Sequence, residues 1–405
     1  MYILQSSEQK LRDGVRQDPI IFLVDQMLYR AIVMRSSDVH LEPTLKNMRL
    51  RYRIDGVLYE QESIEQGQAA LVLSRLKVLS SLDIAQRRMP QDGKLMINFD
   101  SSSGLRAIDL RISTFPTIFG EKMVVRILDR RWQCLSLDAL GCSDAVRASI
   151  ARLISRQHGF FLVTGPTGSG KTTTLYAMLS ALNRPDRNIV TMEDPVEYHI
   201  EGITQSQISD KIGFTFECGL RSLVRQDPDV AMVGEIRDRQ TAQIAIEAAL
   251  TGHLVLSTLH TNDSIGAIAR LIDMGIEPFM VNAALTAVLA QRLVRLLCES
   301  CKYQDVLREA EHIFVQKHQL SLESAWRAPG CKECAGLGHR GRIGIFELLV
   351  VDDGLRRLIV QGADTCSIRE HVIESGISLL RDDGLAKVRQ GVVSLEEFMG
   401  VIGFY

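Results

Sequence analysis

The run Gly165-Pro166-Thr167-Gly168-Ser169-Gly170-Lys171-Thr172 concentrates more chemistry than any other stretch of this 405-residue chain. The spacing G-x-x-x-x-G-K-[ST] leaves backbone N–H groups free to wrap phosphate oxygens, because glycine permits the tight turn and a side chain would block the approach. In such a loop the lysine, here Lys171, reaches the β and γ phosphates, and the Thr172 hydroxyl holds Mg²⁺. The run predicts a bound nucleoside triphosphate. Hydrolysis needs more: a carboxylate to orient water and groups to hold the metal.

Two carboxylate clusters stand where those groups belong. Glu193-Asp194 directly follows the apolar run Ile189 to Met192, and Glu235 directly follows Val230 to Val233. In open α/β sheets the ligand lies beyond the carboxyl ends of the strands, so both clusters are expected to project toward the phosphates. Acidic residues after strands also cap helices; it is the phosphate loop in the same half of the chain that favours chemistry. Gly234 takes the place of the aspartate that commonly ends such a strand. His253 and His260 flank another short apolar run, and a histidine after a strand can contact a γ phosphate. Taken alone, each histidine reads as structural.

Cys298-x-x-Cys301 and Cys331-x-x-Cys334 are separated by 29 residues, 302 to 330, and take up four of the chain's eight cysteines. Four thiolates match tetrahedral structural zinc with no position open for catalysis. Unrelated free thiols are the alternative, since a redox C-x-x-C lacks its βαβ setting here. The insert is longer than a ribbon needs and predicts a helix within Gln304 to Lys317. Arg106, Arg111 and Arg126 fall on predicted strands near the N-terminal end; by residue type alone they read as solvated, paired or nucleotide-binding.

The elements that must position these groups fall into two patterns. Residues 19 to 130 read as a mixed α+β domain after a short segment, 1 to 18. Pro19 to Met34 has helical spacing, and Arg49 to Ile54 alternates. Asp55-Gly56 signals a hairpin to Val57-Leu58-Tyr59. Leu71 to Leu82 reads as a helix. Pro90-Gln-Asp-Gly93 and Ser101-Ser-Ser-Gly104 punctuate strands at Lys94 to Phe99 and Leu105 to Ile112, and Met123 to Leu128 is a further strand. A linker is expected over 131 to 144. From 145 to 405, short apolar strands alternate with helices, as in a parallel sheet covered on both faces. This part includes the cysteine module, 296 to 340, and a helical tail, 350 to 405.

Composition narrows the classes. With 46% hydrophobic and 24% charged residues the chain is ordinary soluble protein. Apolar runs such as Ala242 to Leu250 are too short to span a bilayer, and the N-terminus lacks a signal-peptide pattern, so a cytosolic protein is expected. A net charge of −2 offers no global reason to bind nucleic acid.

Several stretches resemble the secretion ATPases that power type II secretion and type IV pilus assembly: SDVHLEP (37 to 43), LRYRIDGVL (50 to 58), RISTFPTIFGEKMVVRIL (111 to 128), VTGPTGSGKTTTLYAML (163 to 179), MEDPVEY (192 to 198), RQDPDVAMVGEIRD (225 to 238) and TGHLVLSTLHTNDS (251 to 264). The resemblance implies a cytosolic homohexamer that hydrolyses ATP, with a PAS-like domain joined to a RecA-like ATPase domain. It implies peripheral attachment to the inner membrane through platform and cytoplasmic-domain proteins of the machine. It gives Glu193 the activation of water, Glu235 the atypical Walker B position, and His253 and His260 the histidine box. Arg111 and Arg126 match arginines brought to the triphosphate when the two domains close. The tetracysteine module matches the assembly branch and not the retraction motors, and TNDSIGAIARLIDMGIEPF (261 to 279) is closer to type II secretion than to pilus extension. A nucleic-acid translocase and a nonhydrolysing nucleotide-gated scaffold are the alternatives from other classes. Only about 20 residues precede the resemblance, whereas family members carry a further N-terminal docking domain, which leaves recruitment by that route open.

Overall fold

The computed structural model describes residues 2–4, 18–101, 104–129 and 136–402. The chain forms two compact units, Met1–Gln133 and Cys134–Tyr405.

In the first unit the strands are β1 (Tyr2–Leu4), β2 (Ser36–Pro43), β3 (Asn47–Ile54), β4 (Val57–Glu60), β5 (Ile64–Glu65), β6 (Gln91–Ser101), β7 (Gly104–Thr117) and β8 (Gly120–Leu128). They form one sheet in the order β1-β6-β7-β8-β2-β3-β4, with β5 on β3. All pairs are antiparallel except β1 with β6. The period-2 pattern decides which face is buried: along β3, Met48, Leu50, Tyr52 and Ile54 are buried, while Arg49, Arg51 and Arg53 point the other way. The helices Pro19–Val33 and Gln66–Leu79 supply Val24, Leu28, Val72 and Leu76 to the core of this unit. The Tyr52 hydroxyl donates to the Met27 carbonyl at 2.8 Å and pins helix to sheet.

The Asp55-Gly56 hairpin has φ of 48° and 90°, as a two-residue type I′ turn requires. Pro90-Gln-Asp-Gly93, read as a break, instead opens β6. Gly93 is there for close approach, because a Cβ would come within 2.9 Å of the Ser80 carbonyl and of Leu82. The second helix begins at Gln66, before the apolar spacing starts, and stops at Leu79 ahead of Ser81, which takes φ 58°. Lys77 near its end is buried in an ion pair with Glu121 at 2.7 Å. Ser102 and Ser103 of the Ser101–Gly104 turn and residues 5–17 of the N-terminal segment lie outside the described residues.

The second unit contains β9 (Gly159–Thr164), β10 (Ile189–Glu193), β11 (Thr204–Gln207), β12 (Val230–Val233), β13 (Leu254–Leu259), β14 (Leu285–Leu297) and β17 (His339–Val350) in one sheet ordered β11-β10-β12-β13-β9-β14-β17. Every neighbouring pair is parallel except β14 with β17. Helices cover both faces, so β9, β10, β12 and β13 are buried along their whole length, whereas the edge strand β11 is polar and partly exposed. Along β9, Phe160 and Leu162 enter a core with the helices Arg239–Leu250 and Ser264–Asp273, while Phe161 and Val163 enter the opposite core with the helices Asp144–Ile154 and Lys171–Leu182.

Of the stretch expected to be a linker, 131–135 lies outside the described residues, and Leu137–Leu140 is a 3₁₀ helix with Leu140 in the second of these cores. Between the two cysteine pairs, β15 (Tyr303–Val306) and β16 (Ser324–Arg327) form an antiparallel pair beside the helix Glu309–Lys317. Arg327 joins these pieces, bonding Glu311 at 2.6 Å and Asp305 at 2.9 Å. The helices Asp353–Val360, Thr365–Glu374, Leu380–Arg389 and Leu395–Ile402 complete the unit. No helix among the described residues is long and apolar enough to cross a membrane.

Candidate functional site

The phosphate loop joins the carboxyl end of β9 to the helix Lys171–Leu182, with Gly170 as N-cap. The helix N-terminus and its free N–H groups thus face the space where phosphates bind. Gly165, Gly168 and Gly170 take φ of 151°, 79° and 89°, which confines these positions to glycine. Lys171 lies under the loop, donating to the Gly165 carbonyl at 2.8 Å and the Pro166 carbonyl at 3.0 Å. Burial pushes its pKa down from 10.5 to about 8; the Glu235 carboxylate opposes that fall and the Arg292 guanidinium adds to it. Thr172 stands exposed at the start of the helix.

Glu235, just past β12, meets His260, just past β13, with Oε2 to Nε2 at 3.1 Å. The other ring nitrogen of His260 lies 3.5 Å from Lys171 Nζ. One line of groups therefore runs from the loop lysine through His260 to Glu235. Gly234 is explained by packing: a Cβ there would sit 3.2 Å from the Met192 carbonyl and 3.5 Å from Glu193 Cα, so a side chain would press on β10.

Glu193 ends β10 on the strand beside β12, but its carboxylate is already engaged. It accepts from the Tyr176 hydroxyl, from Thr191 Oγ1 at 2.6 Å and from Gln205 Nε2 at 3.1 Å, and the residue is 3% exposed. His253 is not brought to the loop at all. It precedes β13 where His260 follows it, so the six-residue strand, about 20 Å long, separates the two histidines. His253 Nδ1 lies 3.0 Å from the Ala248 carbonyl at the end of the preceding helix.

In the first unit, Arg111 and Arg126 are directly opposite each other on β7 and β8, and Lys94 on β6 is opposite Arg111. These residues line a cavity of about 410 Å³. Arg126 also bonds Asp38 at 3.1 Å. Arg106 has the opposite facing and pairs with Asp129 at 2.9 Å.

The four cysteines come together from two loops. Sγ of Cys298 is 3.8 Å from that of Cys331, Cys301 is 4.0 Å from Cys334, and Cys331 is 3.8 Å from Cys334. All four sulfurs lie within 4.8 Å of one another. A tetrahedron of about 2.3 Å zinc–sulfur bonds has edges of about 3.8 Å, so the donor set fits zinc. Burial opposes ionisation of Cys334, but the N–H groups of Cys331 and Gly338, at 3.1 and 3.3 Å, draw its thiol down to about 6.

Three neighbours escaped sequence reasoning. Tyr176 lies on the phosphate-loop helix and binds Glu193; its burial in the helix core gave no polar signal. Arg237 bonds Glu235 and reaches Asp194 at 3.5 Å; its place two residues after Glu235 could have marked it. Arg292, on the apolar β14, donates to the Asn262 carbonyl at 3.1 Å, two residues beyond His260.

The family model described as "Type II/IV secretion system protein" matches residues 13–400. The type II secretion system ATPase E of Vibrio cholerae is 50% identical over 384 residues, covering 95% of this chain and 75% of that protein. The type IV pilus assembly ATPase PilB of Myxococcus xanthus is 46% identical over 390 residues, covering 94% of this chain and 68% of that one. Among solved structures, the Legionella pneumophila ATPase DotB shares the fold, with a TM-score of 0.70 at 20% identity and full coverage of both chains.

Proposed function

The chain belongs to the type II/IV secretion system protein family, and from that premise we propose that it is the ATP-hydrolysing motor of a type II secretion system, driving pseudopilus assembly and export of proteins across the outer membrane. The observation that carries the reading is the line from Lys171 through His260 to Glu235 beneath a glycine-built phosphate loop. That arrangement suits a γ phosphate and its metal.

In this proposal the backbone of Gly165 to Thr172 cradles ATP, and Thr172 and Glu235 hold Mg²⁺. The metal would neutralise charge that develops on the phosphate oxygens. His260 reads the γ phosphate across to Glu235. Glu193 orients the attacking water, which requires its carboxylate to exchange one of its three present donors, Tyr176, Thr191 or Gln205, for that water. Arg111 and Arg126 supply positive charge to the triphosphate, and an arginine contributing in that way is worth about 10³ to 10⁵ in rate. Cys298, Cys301, Cys331 and Cys334 hold a structural zinc. The protein works as a homohexamer in the cytoplasm, peripherally attached to the inner membrane through its machine's own components. Loss of γ-phosphate contacts on hydrolysis is the event that does mechanical work.

A pilus extension motor is the second reading, favoured by the 46% identity to the pilus assembly ATPase. Disrupting the gene in its native cell separates the two. Loss of exported proteins from the medium with surface pili intact is expected. Loss of pili with export intact would move the protein to pilus assembly.

A further inference from the structure

β14 runs beside the strand that feeds the phosphate loop, with Ala290 paired to Thr164, so the next residue, Gln291, comes level with Gly165. Gln291 is 2% exposed, and both ends of its amide are used. Nε2 donates to the Ser169 carbonyl at 2.7 Å, and Oε1 accepts from the Thr174 hydroxyl at 2.8 Å, one turn into the phosphate-loop helix. The Gln291 carbonyl lies 2.4 Å from where a Cβ on Gly165 would stand, so the backbone of β14 also packs against the start of the loop.

The Ser169 carbonyl and the Gly170 N–H belong to one planar trans peptide and point in opposite directions. Holding the carbonyl from behind therefore aims the N–H forward, at the N-terminus of the helix where phosphates bind. Gly170 is the most permissive residue for rotating that peptide, and Gly168 loosens the chain just before it. Little in the loop itself opposes such a rotation.

We propose that Gln291 is a positioning residue for triphosphate binding: by gripping the Ser169 carbonyl and tying it to Thr174, it holds the Ser169–Gly170 peptide in the orientation that presents the Gly170 N–H to the phosphates. The inference rests on the reading of Gly165 to Thr172 as the triphosphate site. A sequence gives no hint of it, since the residue lies within an otherwise apolar strand.

The test is the affinity of the full chain for Mg·ADP by calorimetry, with the melting temperature of the ligand-free protein measured alongside. Gln291→Met keeps the volume and removes both hydrogen bonds; it is expected to weaken binding by about tenfold or more in protein that is folded at the assay temperature. Gln291→Glu carries the distinguishing signature. As a carboxylate it cannot donate to Ser169, but once protonated it can, and burial raises the carboxyl's pKa, so its deficit relative to wild type at the same pH shrinks as the pH is lowered from about 9.5 to about 5. A deficit in Gln291→Glu that does not shrink on acidification would overturn the proposal, as would Gln291→Met binding within twofold of wild type. If Gln291→Met does not fold, the pH dependence of Gln291→Glu decides alone. Lys171→Ala in the same assay separates the two levels of the argument. If it binds as wild type does, the reading of the loop fails; if it loses binding while the Gln291 variants do not, only this inference fails.

Discussion

Lys171 gives the sharpest quantitative expectation. Burial under the phosphate loop lowers its pKa from 10.5 to about 8 in the ligand-free protein. A triphosphate beside it favours the ammonium form and returns the pKa to the ordinary lysine range or above. Nucleotide binding therefore takes up a proton at pH values above about 8, and the affinity falls by about tenfold for each further pH unit until the normal lysine pKa is reached. Between pH 7.5 and 9.5 the loss is about 20-fold.

Stability moves the other way. Between about 8 and 10.5 the unfolded chain keeps a proton that the folded protein has shed, so unfolding free energy from this group rises with pH. The cost of burying the ammonium, about 3 kcal/mol below pH 8, is progressively relieved. Calorimetric titration with Mg·ADP across this range measures the affinity, and thermal melting without nucleotide measures the stability. Lys171→Arg is the control, because its guanidinium stays protonated throughout; it should bind with little pH dependence over the same range. An affinity that is flat from pH 7.5 to 9.5, or an equal slope in Lys171→Arg, would refute the placement of Lys171 as a buried phosphate-binding cation.

Further outcomes follow from other parts of the fold. Protein prepared reduced and without chelator should contain one zinc per chain by metal analysis, and Cys298→Ser with Cys331→Ser should lose it and lower the melting temperature; absence of metal would leave the four sulfurs as free thiols. In the first unit, Lys77→Met leaves the buried Glu121 carboxylate without its ion-pair partner and should destabilise that unit by about 3 to 5 kcal/mol in denaturant unfolding. The double change Lys77→Met with Glu121→Leu should recover most of that loss, and failure to recover would show the loss to be one of packing. Tyr176→Phe removes one of three donors from Glu193 and should leave Mg·ADP affinity unchanged while altering kcat; a changed affinity with kcat intact would break the proposed link between the loop helix and the water-orienting carboxylate.

The phosphate loop was legible because glycine spacing records a backbone requirement: the positive φ of Gly165, Gly168 and Gly170 leaves few alternatives. Asp55-Gly56 was legible for the same reason, and the cysteine pairs because their spacing records ligand geometry. Residues acting through the neighbouring strands were not. Gln291 and Arg292 sit in a buried apolar strand, where a polar residue has no period or motif to announce it. Tyr176 looked like core. The engagement of Glu193 depends on Gln205 on β11, an edge strand whose sequence Thr-Gln-Ser-Gln carries no apolar alternation. His253 shows the converse: the pattern pairs it with His260, yet it precedes the strand that His260 follows and bonds the Ala248 carbonyl. Pro90 to Gly93 mimicked a turn because a glycine demanded by close packing has the same letter as one demanded by φ.

The central claim, that this unit hydrolyses ATP through Lys171 and Glu235, is tested most directly by phosphate release from Mg·ATP with the purified full chain. Wild type should turn over, Lys171→Ala should lose nucleotide binding, and Glu235→Gln should bind ATP yet release phosphate at least about 100-fold more slowly, with no stimulation of the wild type by DNA. A near-normal rate in Glu235→Gln or Lys171→Ala would contradict the account.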